Sequence, residues 1–400
     1  MPADAFDNHV SGLVHRPEPN LKATGVELSF PSEKLVEYTA ALAASLIDAL
    51  LTNLVQAAIT MTILVSRQNM KTLSTCFKSP PEYLHAVPDG FYDNAVEEEG
   101  ELSDGTLYSR RDVPNTNPKV LFLSLNKDAW GQDFLATERT IQDFIGLLIS
   151  TDLDLTTVSI ALMTASRKEF DAIKAATRSF PFARISVFYQ EDKAPKFEDK
   201  DGDTPEAQRK RRSYLATLRN YLMLRSLKDE PHMVWVDADI VEFTPGIVQT
   251  MVSRAEERED VGLLTARCVK SRAGDDYDLN AWQFDNEAPG LRGPVAEKDQ
   301  KTAAERLERT RHQVQDLIKD TSNTDLIPLD SVGGTILYIR SSLVHRGVSF
   351  PPFNVVGTMF GHDGWAGIET EGICYMAKQL GDAGCFLLGG KHSVRHADTG

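Results

Sequence analysis

Over most of its length, the chain alternates between short apolar runs and longer segments with helical spacing. Residues 120–125, 158–163 and 184–189 are apolar runs of strand length, and residues 136–150 and 168–178 carry apolar side chains at helical intervals. Strands that alternate with helices are joined by right-handed crossovers, which makes the sheet mainly parallel and covers it with helices. The sequence therefore predicts an α/β fold whose ligands bind at the carboxyl ends of the strands.

The composition agrees with this fold and excludes one class of partner. The chain has 400 residues, of which 42% are hydrophobic, so it can bury a sizeable core. Its formal net charge of -15 argues against a nucleic-acid partner, because a phosphate backbone is bound by clustered cations. The cysteines have no zinc-site spacing and could pair in three ways, so they do not indicate the compartment. They are Cys76, Cys268, Cys374 and Cys385.

The N-terminal region lies outside the alternating pattern. Residues 49–66 form an uncharged segment that just reaches the length of a bilayer span. It starts too late for a cleaved signal peptide, so it is either a single membrane anchor or a buried or amphipathic helix. Residues 79–118 are rich in Pro, Gly, Asp, Glu and Asn, which predicts a linker or stem with little fixed structure. We therefore expect an N-terminal region (1–78), this linker, and a catalytic domain (119–400).

The strongest chemical signal is Asp237-Ala238-Asp239, which directly follows the apolar run of residues 233–236. Side chains two positions apart at a strand end point to the same side, so both carboxylates can reach one cation. Mn²⁺ and Mg²⁺ prefer oxygen ligands and neutralise a diphosphate leaving group. A turn aspartate followed by a helix cap also explains an isolated triplet. Here, however, the triplet ends a buried strand that follows three strand predictions.

A long helical segment at residues 205–227 opens with four consecutive cations from Arg209 to Arg212. One explanation is a solvated helix face with local ion pairs. The other is a diphosphate site, because four successive cations leave at least one facing inward on any helix. The sequence alone leaves both open.

Seven segments of the chain, in this order, resemble the fungal Golgi mannosyltransferases of the mannan-polymerase type, glycosyltransferase family 62. They are VLFLSLNKDA (120–129), RRSYLATLRNYLMLRSL (211–227), WVDADIVEF (235–243), YDLNAWQ (277–283), LDSVGGTILYIR (329–340), FPPF (350–353) and GIETEGICYMAKQLG (367–381).

The resemblance implies a GT-A type, Rossmann-like fold for residues 119–400. It also implies Mn²⁺ or Mg²⁺ as cofactor and GDP-mannose as donor. The implied reaction is a retaining transfer of mannose to a mannoside acceptor on a protein-linked glycan. The implied setting is the Golgi membrane, in type II orientation with a lumenal catalytic domain, in a complex with other mannosyltransferase subunits.

The resemblance also assigns roles to individual residues. The metal ligands are Asp237, Asp239 and His396. The contacts to the donor diphosphate are Arg209, Arg212 and Asn220. Asn126 falls at the nucleotide, but Ser124-Leu125-Asn126 departs from the Thr-Pro-like turn of the family, which leaves the base preference of the donor open.

Five further residues suit a sugar-nucleotide site. Gly333 and Gly334 permit close approach of a sugar or phosphate to the backbone, although a plain turn would also explain them. Glu369 and Glu371 could orient sugar hydroxyls or cap a helix. Asp278 lies in a segment that mixes polar groups with an aromatic side chain, a combination that binds sugars. Glu369, Glu371 and Asp278 are the catalytic candidates, and no residue is identified as a nucleophile.

Two other functions are compatible with these motifs. One is a GT-A transferase with a different nucleotide-sugar donor, which the departure at Asn126 suggests. The other is a non-catalytic scaffold subunit, although the complete set of metal-ligating candidates argues against it.

Overall fold

The computed structural model describes residues 87–134, 136–193, 205–270, 274–286, 297–353 and 367–397. All of them fall within the unit formed by residues 80–400. The expected anchor at 49–66 lies outside the described residues. Within the described ranges, no helix combines the length and the apolar character that a bilayer span requires.

The described strands form one large sheet and two small ones. The large sheet has ten strands in the order β1-β2-β5-β4-β3-β6-β13-β8-β14-β12, and the small ones are β10-β11 and β7-β15-β9. The strands are β1 (Val96–Glu101), β2 (Leu107–Asp112), β3 (Val120–Asn126), β4 (Val158–Thr164), β5 (Arg184–Tyr189), β6 (His232–Val236), β7 (Ile240–Phe243), β8 (Val261–Thr265), β9 (Arg267–Lys270), β10 (Trp282–Phe284), β11 (Arg311–Gln313), β12 (Leu326–Pro328), β13 (Ile336–Arg340), β14 (Gly384–Leu388) and β15 (Ser393–His396).

The described α-helices are α1 (Ile141–Ile149), α2 (Arg167–Thr177), α3 (Pro205–Ser226), α4 (Ile247–Glu257), α5 (Gln300–Glu308), α6 (Val314–Leu317), α7 (Ser341–His345) and α8 (Glu369–Lys378). Short 3₁₀ turns span Leu155–Thr157 and Glu297–Asp299.

The middle of the large sheet confirms the predicted parallel arrangement. β3 pairs in parallel with β4 and β6, and β4 pairs in parallel with β5. Every residue of β4 and β6 is buried, as expected for strands covered on both faces. Antiparallel strands flank this core, since β2 pairs with β5, and β13 pairs with β6 and β8. The α/β sheet is therefore mixed, and the apolar pattern missed this because it does not encode strand direction.

The prediction of an unstructured linker at residues 79–118 was wrong for its second half. β1 and β2 form a hairpin, and β2 extends the large sheet beside β5. The acidic run in β1 that suggested disorder has cationic partners, because Glu97 pairs with Arg111 and Glu99 pairs with Lys174. Charges compensated across neighbouring elements favour the ordered hairpin.

Alternating strand side chains build one hydrophobic core on each face of the sheet. On β3, Val120 and Phe122 belong to one core, whereas Leu121 and Leu123 belong to the other. Helices α1, α2 and α4 cover the first face, and α3, α7 and α8 cover the second. Buried apolar surface is the main source of stability in such layers, at about 25 cal/mol per Å².

One disulfide joins the second layer to the sheet. Cys374 on α8 is bonded to Cys385 on β14, whereas Cys268 is a buried free thiol. Cys76 lies outside the described residues. The disulfide fixes α8, which begins with Glu369, against a strand of the large sheet.

Candidate active site

The Asp237-Ala238-Asp239 turn lies at the carboxyl end of β6, between β3 and the antiparallel β13. Backbone hydrogen bonds hold the turn: Asp237 N donates to Thr335 O, and Ile240 N donates to Asp237 O. The amide of Ala397 donates to Asp239 O at 2.8 Å. These bonds place both carboxylates at the edge where α/β sheets bind ligands.

His396 reaches the turn because β15 pairs with β7, the strand that follows the two aspartates. Its Nε2 lies 2.8 Å from Asp239 Oδ2. The ring stacks on Tyr277, with 3.6 Å between ring centroids. Burial is the largest single effect on His396 and lowers its pKa, but the hydrogen bond to Asp239 and the negative charges of Asp239 and Asp237 together outweigh it, so the net shift of the pKa is upward.

Asp278 holds the Gly333-Gly334 turn that precedes β13. Its Oδ2 accepts from Gly334 N at 2.8 Å and from the backbone and hydroxyl of Thr335, both at 3.3 Å. A Cβ on Gly333 would lie 2.5 Å from this oxygen, and a Cβ on Gly334 would lie 2.9 Å from Nη2 of Arg219. A side chain at either glycine would therefore displace the Asp278 carboxylate or the Arg219 guanidinium, and Asp278 supports the turn.

Arg219 of α3 is the residue that the sequence analysis missed. Its Nη2 lies 3.1 Å from Asp237 Oδ1, its Nε lies 2.9 Å from Glu369 Oε1, and its side chain is only 3% exposed. Arg219 follows Arg212 by two helical turns and so lies on the same helix face, a spacing that could have identified it.

Glu369 and Glu371 both lie in the first turn of α8, whose N-cap residue is Ile368. Glu369 is buried against Arg219, and its backbone adopts a positive φ of 57°. Glu371 is also buried; its Oε1 accepts from the Tyr375 hydroxyl and lies 3.9 Å from Nη2 of Arg311. Burial raises the pKa of Glu371 despite the nearby arginine. The structure thus brings Glu369 to Asp237 and places Glu371 at a neighbouring cation.

The predicted donor contacts on α3 separate into two groups. Arg209 lines an open cleft of about 490 Å³ with Tyr214 and Phe353. Arg212 is half-buried and donates to Asn280 Oδ1. These two arginines remain candidates for an anionic ligand.

The side-chain amides of Asn220 and Asn126 form hydrogen bonds within the protein. Both polar atoms of the Asn220 amide bond the backbone of Phe350, at 2.6 and 2.8 Å. Asn126 donates to Ala129 O at 2.6 Å and accepts from the Thr164 hydroxyl at 3.2 Å. Both amides brace turns beside the site, so their predicted donor contacts would require these bonds to break.

Several carboxylates surround Asp237. Its side chain is 37% exposed, yet the surrounding protein raises its pKa to about 7 through burial. Arg219 opposes the shift, whereas Asp239, Asp278 and Glu369 add to it. Such a centre attracts a cation.

The donor set fits a hard divalent cation. Two carboxylates and one imidazole suit Mn²⁺ or Mg²⁺. Among the described residues, no three His, Cys, Asp or Glu side chains surround a common point. Asp237 contacts Arg219 instead, and His396 contacts Asp239. Asp237, Asp239 and His396 would hold a cation only after these two contacts are exchanged for metal bonds.

Stabilisation by Mn²⁺ is expected to grow from pH 6 to pH 8. Below its pKa of about 7, Asp237 carries a proton that a metal must displace. The raised pKa favours the folded metal-free protein at low pH, and this contribution is lost as the pH rises through 7. Thermal unfolding at several pH values measures the difference between the melting temperatures with and without Mn²⁺. In Asp237→Asn the difference should be small at every pH, and a wild-type difference independent of pH would contradict the prediction.

Comparison with known proteins places the chain in a family. The Anp1 family profile matches residues 106–354, more than half of the chain. The mannan polymerase complex subunit mnn9 of Schizosaccharomyces pombe is 31% identical over 54% of this chain and 61% of that protein. The mannan polymerase I complex VAN1 subunit of Saccharomyces cerevisiae is 31% identical over 43% of this chain and 31% of that protein. The chain thus spans less than two thirds of the length of these relatives.

Two solved structures are similar at low sequence identity. The mannosyltransferase PcManGT of Pyrobaculum calidifontis, in complex with GDP-Man and Mn²⁺, is 11% identical with a TM-score of 0.39, covering 72% of this chain and 59% of that chain. TarS of S. aureus, in complex with UDP, is 9% identical with a TM-score of 0.38, covering 70% of this chain and 61% of that chain. Neither similarity is close enough to indicate a ligand for this protein.

The profile match and the mannan polymerase relatives confirm the predicted resemblance to the fungal mannan-polymerase subunits. The chain belongs to the Anp1 family.

Proposed function

We propose that this protein is a metal-dependent GT-A glycosyltransferase that moves mannose from GDP-mannose to a mannoside on a glycan, with retention of configuration. The observation that carries the proposal is the acidic centre at the end of β6. There, Asp237 and Asp239 lie beside His396, and Asp237 has a pKa raised to about 7. Kinship with mannan polymerase subunits supports mannose as the transferred sugar.

In this proposal Asp237, Asp239 and His396 hold Mn²⁺ or Mg²⁺, which when bound neutralises the charge of the leaving diphosphate. Arg209 and Arg212 face the donor from α3 and bind its phosphates. The Gly333-Gly334 turn lies next to Asp237 through the Thr335 backbone, and there it leaves room for the Asp278 and Arg219 side chains that pack against it.

The three catalytic candidates divide into different roles. Asp278 fixes the glycine turn, and Glu369 fixes Arg219, so both position groups instead of contacting the reacting atoms. Glu371 lies near Arg311, whose guanidinium stacks 4.2 Å from the Trp282 ring. Because Glu371 and Trp282 are both buried, this cluster supports the start of α8 beside the site instead of offering a surface to a sugar.

The setting proposed for the protein is the lumen of the Golgi, in a complex with other mannosyltransferase subunits and without a nucleic-acid partner. The Cys374–Cys385 disulfide supports an oxidising compartment. The names of two relatives describe subunits of mannan polymerase complexes, which supports a multi-subunit assembly. A single type II anchor at residues 49–66 is part of the proposal.

A thermal-shift panel tests the function. We expect GDP and GDP-mannose to raise the melting temperature only with Mn²⁺, by about 5 °C, since saturation at 100 times Kd adds about 2.7 kcal/mol. UDP with Mn²⁺ serves as the matched nucleotide control. A larger shift with UDP would favour another donor, as the Asn126 departure suggests. If no nucleotide shifts the melting temperature, the scaffold function is favoured. The name of the relative mnn9, a subunit of a complex, is compatible with that function.

A further inference from the structure

We propose that Arg219 is a positioning residue that occupies Asp237 in the metal-free protein and is drawn to Glu369 when a divalent cation binds. This inference rests on the proposed metal site at Asp237 and Asp239. It concerns the exchange of partners by one buried guanidinium, which lies between a metal ligand and a carboxylate that binds no metal.

The guanidinium of Arg219 is shared between two carboxylates from distant elements. It lies 3.1 Å from Asp237 Oδ1 at the end of β6 and 2.9 Å from Glu369 Oε1 at the start of α8. Its Nη2 also donates to Gly334 O at 3.3 Å. With a side chain that is 3% exposed, Arg219 is one cation for two carboxylates in a region with little solvent to screen them.

Two aromatic rings pack against this guanidinium. The guanidinium carbon lies 5.1 Å from the Trp235 ring centroid and 5.4 Å from the Phe350 ring centroid. These two rings meet edge to face at 5.8 Å. A cation beside aromatic rings keeps these favourable contacts while its hydrogen-bond partners change. Small displacements against the two rings would therefore redistribute Arg219 between its two carboxylates.

Glu369 is held in an unfavourable backbone conformation that aims it at Arg219. Its φ of 57° lies in the left-handed region, which is unfavourable for a residue other than glycine. The side chain is nevertheless buried, with Oε2 accepting from the Thr370 hydroxyl. Strain of this kind persists where the surroundings demand a particular side-chain direction. Here that direction supplies a second carboxylate for Arg219.

Electrostatics decides the sign of the effect on metal binding. A divalent cation at Asp237 repels Arg219 and competes with it for the same carboxylate. Removing Arg219 should therefore tighten Mn²⁺ binding. Removing the charge of Glu369 should leave Arg219 bound more firmly to Asp237 and weaken Mn²⁺ binding. A residue that only stabilises the local structure would weaken metal binding in both variants.

Calorimetric titration of the intact protein with Mn²⁺ alone tests the exchange. We expect Arg219→Gln to bind Mn²⁺ about 10-fold more tightly and Glu369→Gln about 10-fold more weakly, each corresponding to about 1.4 kcal/mol. Arg211→Gln is the matched control, because Arg211 is an exposed cation on the same helix, and its Mn²⁺ affinity should equal that of the wild type. Melting temperatures of the metal-free proteins serve as a second readout, and Arg219→Gln should melt lower than Arg211→Gln.

The outcomes separate this inference from the proposed function. If the wild type binds Mn²⁺ and Arg219→Gln binds it no more tightly, the partner exchange is wrong while the metal site stands. If the wild type binds no Mn²⁺, the proposed function fails and the exchange fails with it. If Arg219→Gln does not fold, Glu369→Gln decides the matter, because unchanged or tighter Mn²⁺ binding in that variant would overturn the exchange.

Discussion

A chain with asparagine in place of Asp239 is expected to transfer mannose at least about 10³-fold more slowly than the wild type, because metal stabilisation of a leaving group contributes several kcal/mol. The substitution removes the charge of a carboxylate that contacts His396 and faces the proposed cation. Initial rates with GDP-mannose, Mn²⁺ and an α-mannoside acceptor measure the loss. Thermal stabilisation by GDP with Mn²⁺ should disappear in the same variant.

The matched control is Asp382→Asn. Asp382 is an exposed aspartate that pairs with Arg346 at 2.9 Å on the surface, and its loss should change the rate less than twofold. The Asp239 side chain is 33% exposed, so its replacement should leave the fold intact. An Asp239→Asn protein that keeps both its rate and its response to Mn²⁺ would remove the basis of the metal site.

Gly372→Ala is expected to lower the free energy of unfolding by about 1–3 kcal/mol and to weaken Mn²⁺ binding as well. A Cβ at this position would lie 2.1 Å from Pro351 Cγ and 2.2 Å from the carbonyl oxygen of Gly367. The first turn of α8 must therefore shift, and it carries Glu369 and Glu371 with it. Denaturation midpoints of the wild type and Gly372→Ala measure the loss of stability, and Mn²⁺ titrations of the same two proteins measure the loss of affinity.

Gly146→Ala is the contrasting variant, for which we expect no loss of stability. Gly146 lies inside α1, and a Cβ there would meet nothing within 4 Å. Alanine is favoured over glycine in a helix interior by about 0.5–1 kcal/mol, so this variant should be at least as stable as the wild type. If both alanine variants prove equally stable, the close contact at Gly372 does not constrain α8.

The central strands and the acidic turn could be predicted because their signals are local. The apolar runs that became β3, β4 and β5 each span a few consecutive residues. Asp237 directly follows β6, the strand predicted to end there. Its backbone N–H donates to Thr335 O, next to β13. Apolar length and a terminal carboxylate are both visible without knowledge of the neighbouring strands.

The contacts that complete the site depend on segments far apart in the chain. Arg219 meets Glu369 only because α3 and α8 cover the same face of the sheet, and no spacing rule in one sequence expresses that. The disulfide partner of Cys374 was open for the same reason. β1 was misread because its acidic composition resembles a linker, while its cationic partners lie on β2 and α2. Local chemical signals can be identified from the sequence alone, whereas pairing between distant elements can be seen only in the folded chain.

The reversed direction of β13 has a consequence for how this rim of the sheet can change. Because β13 runs against β6, the loop that enters β13 and the loop that leaves β6 meet at one rim of the sheet. The entering loop carries the paired glycines, and the leaving loop carries the aspartates. Insertions upstream of Gly333 can therefore reshape the surface at that rim while the acidic turn stays unchanged.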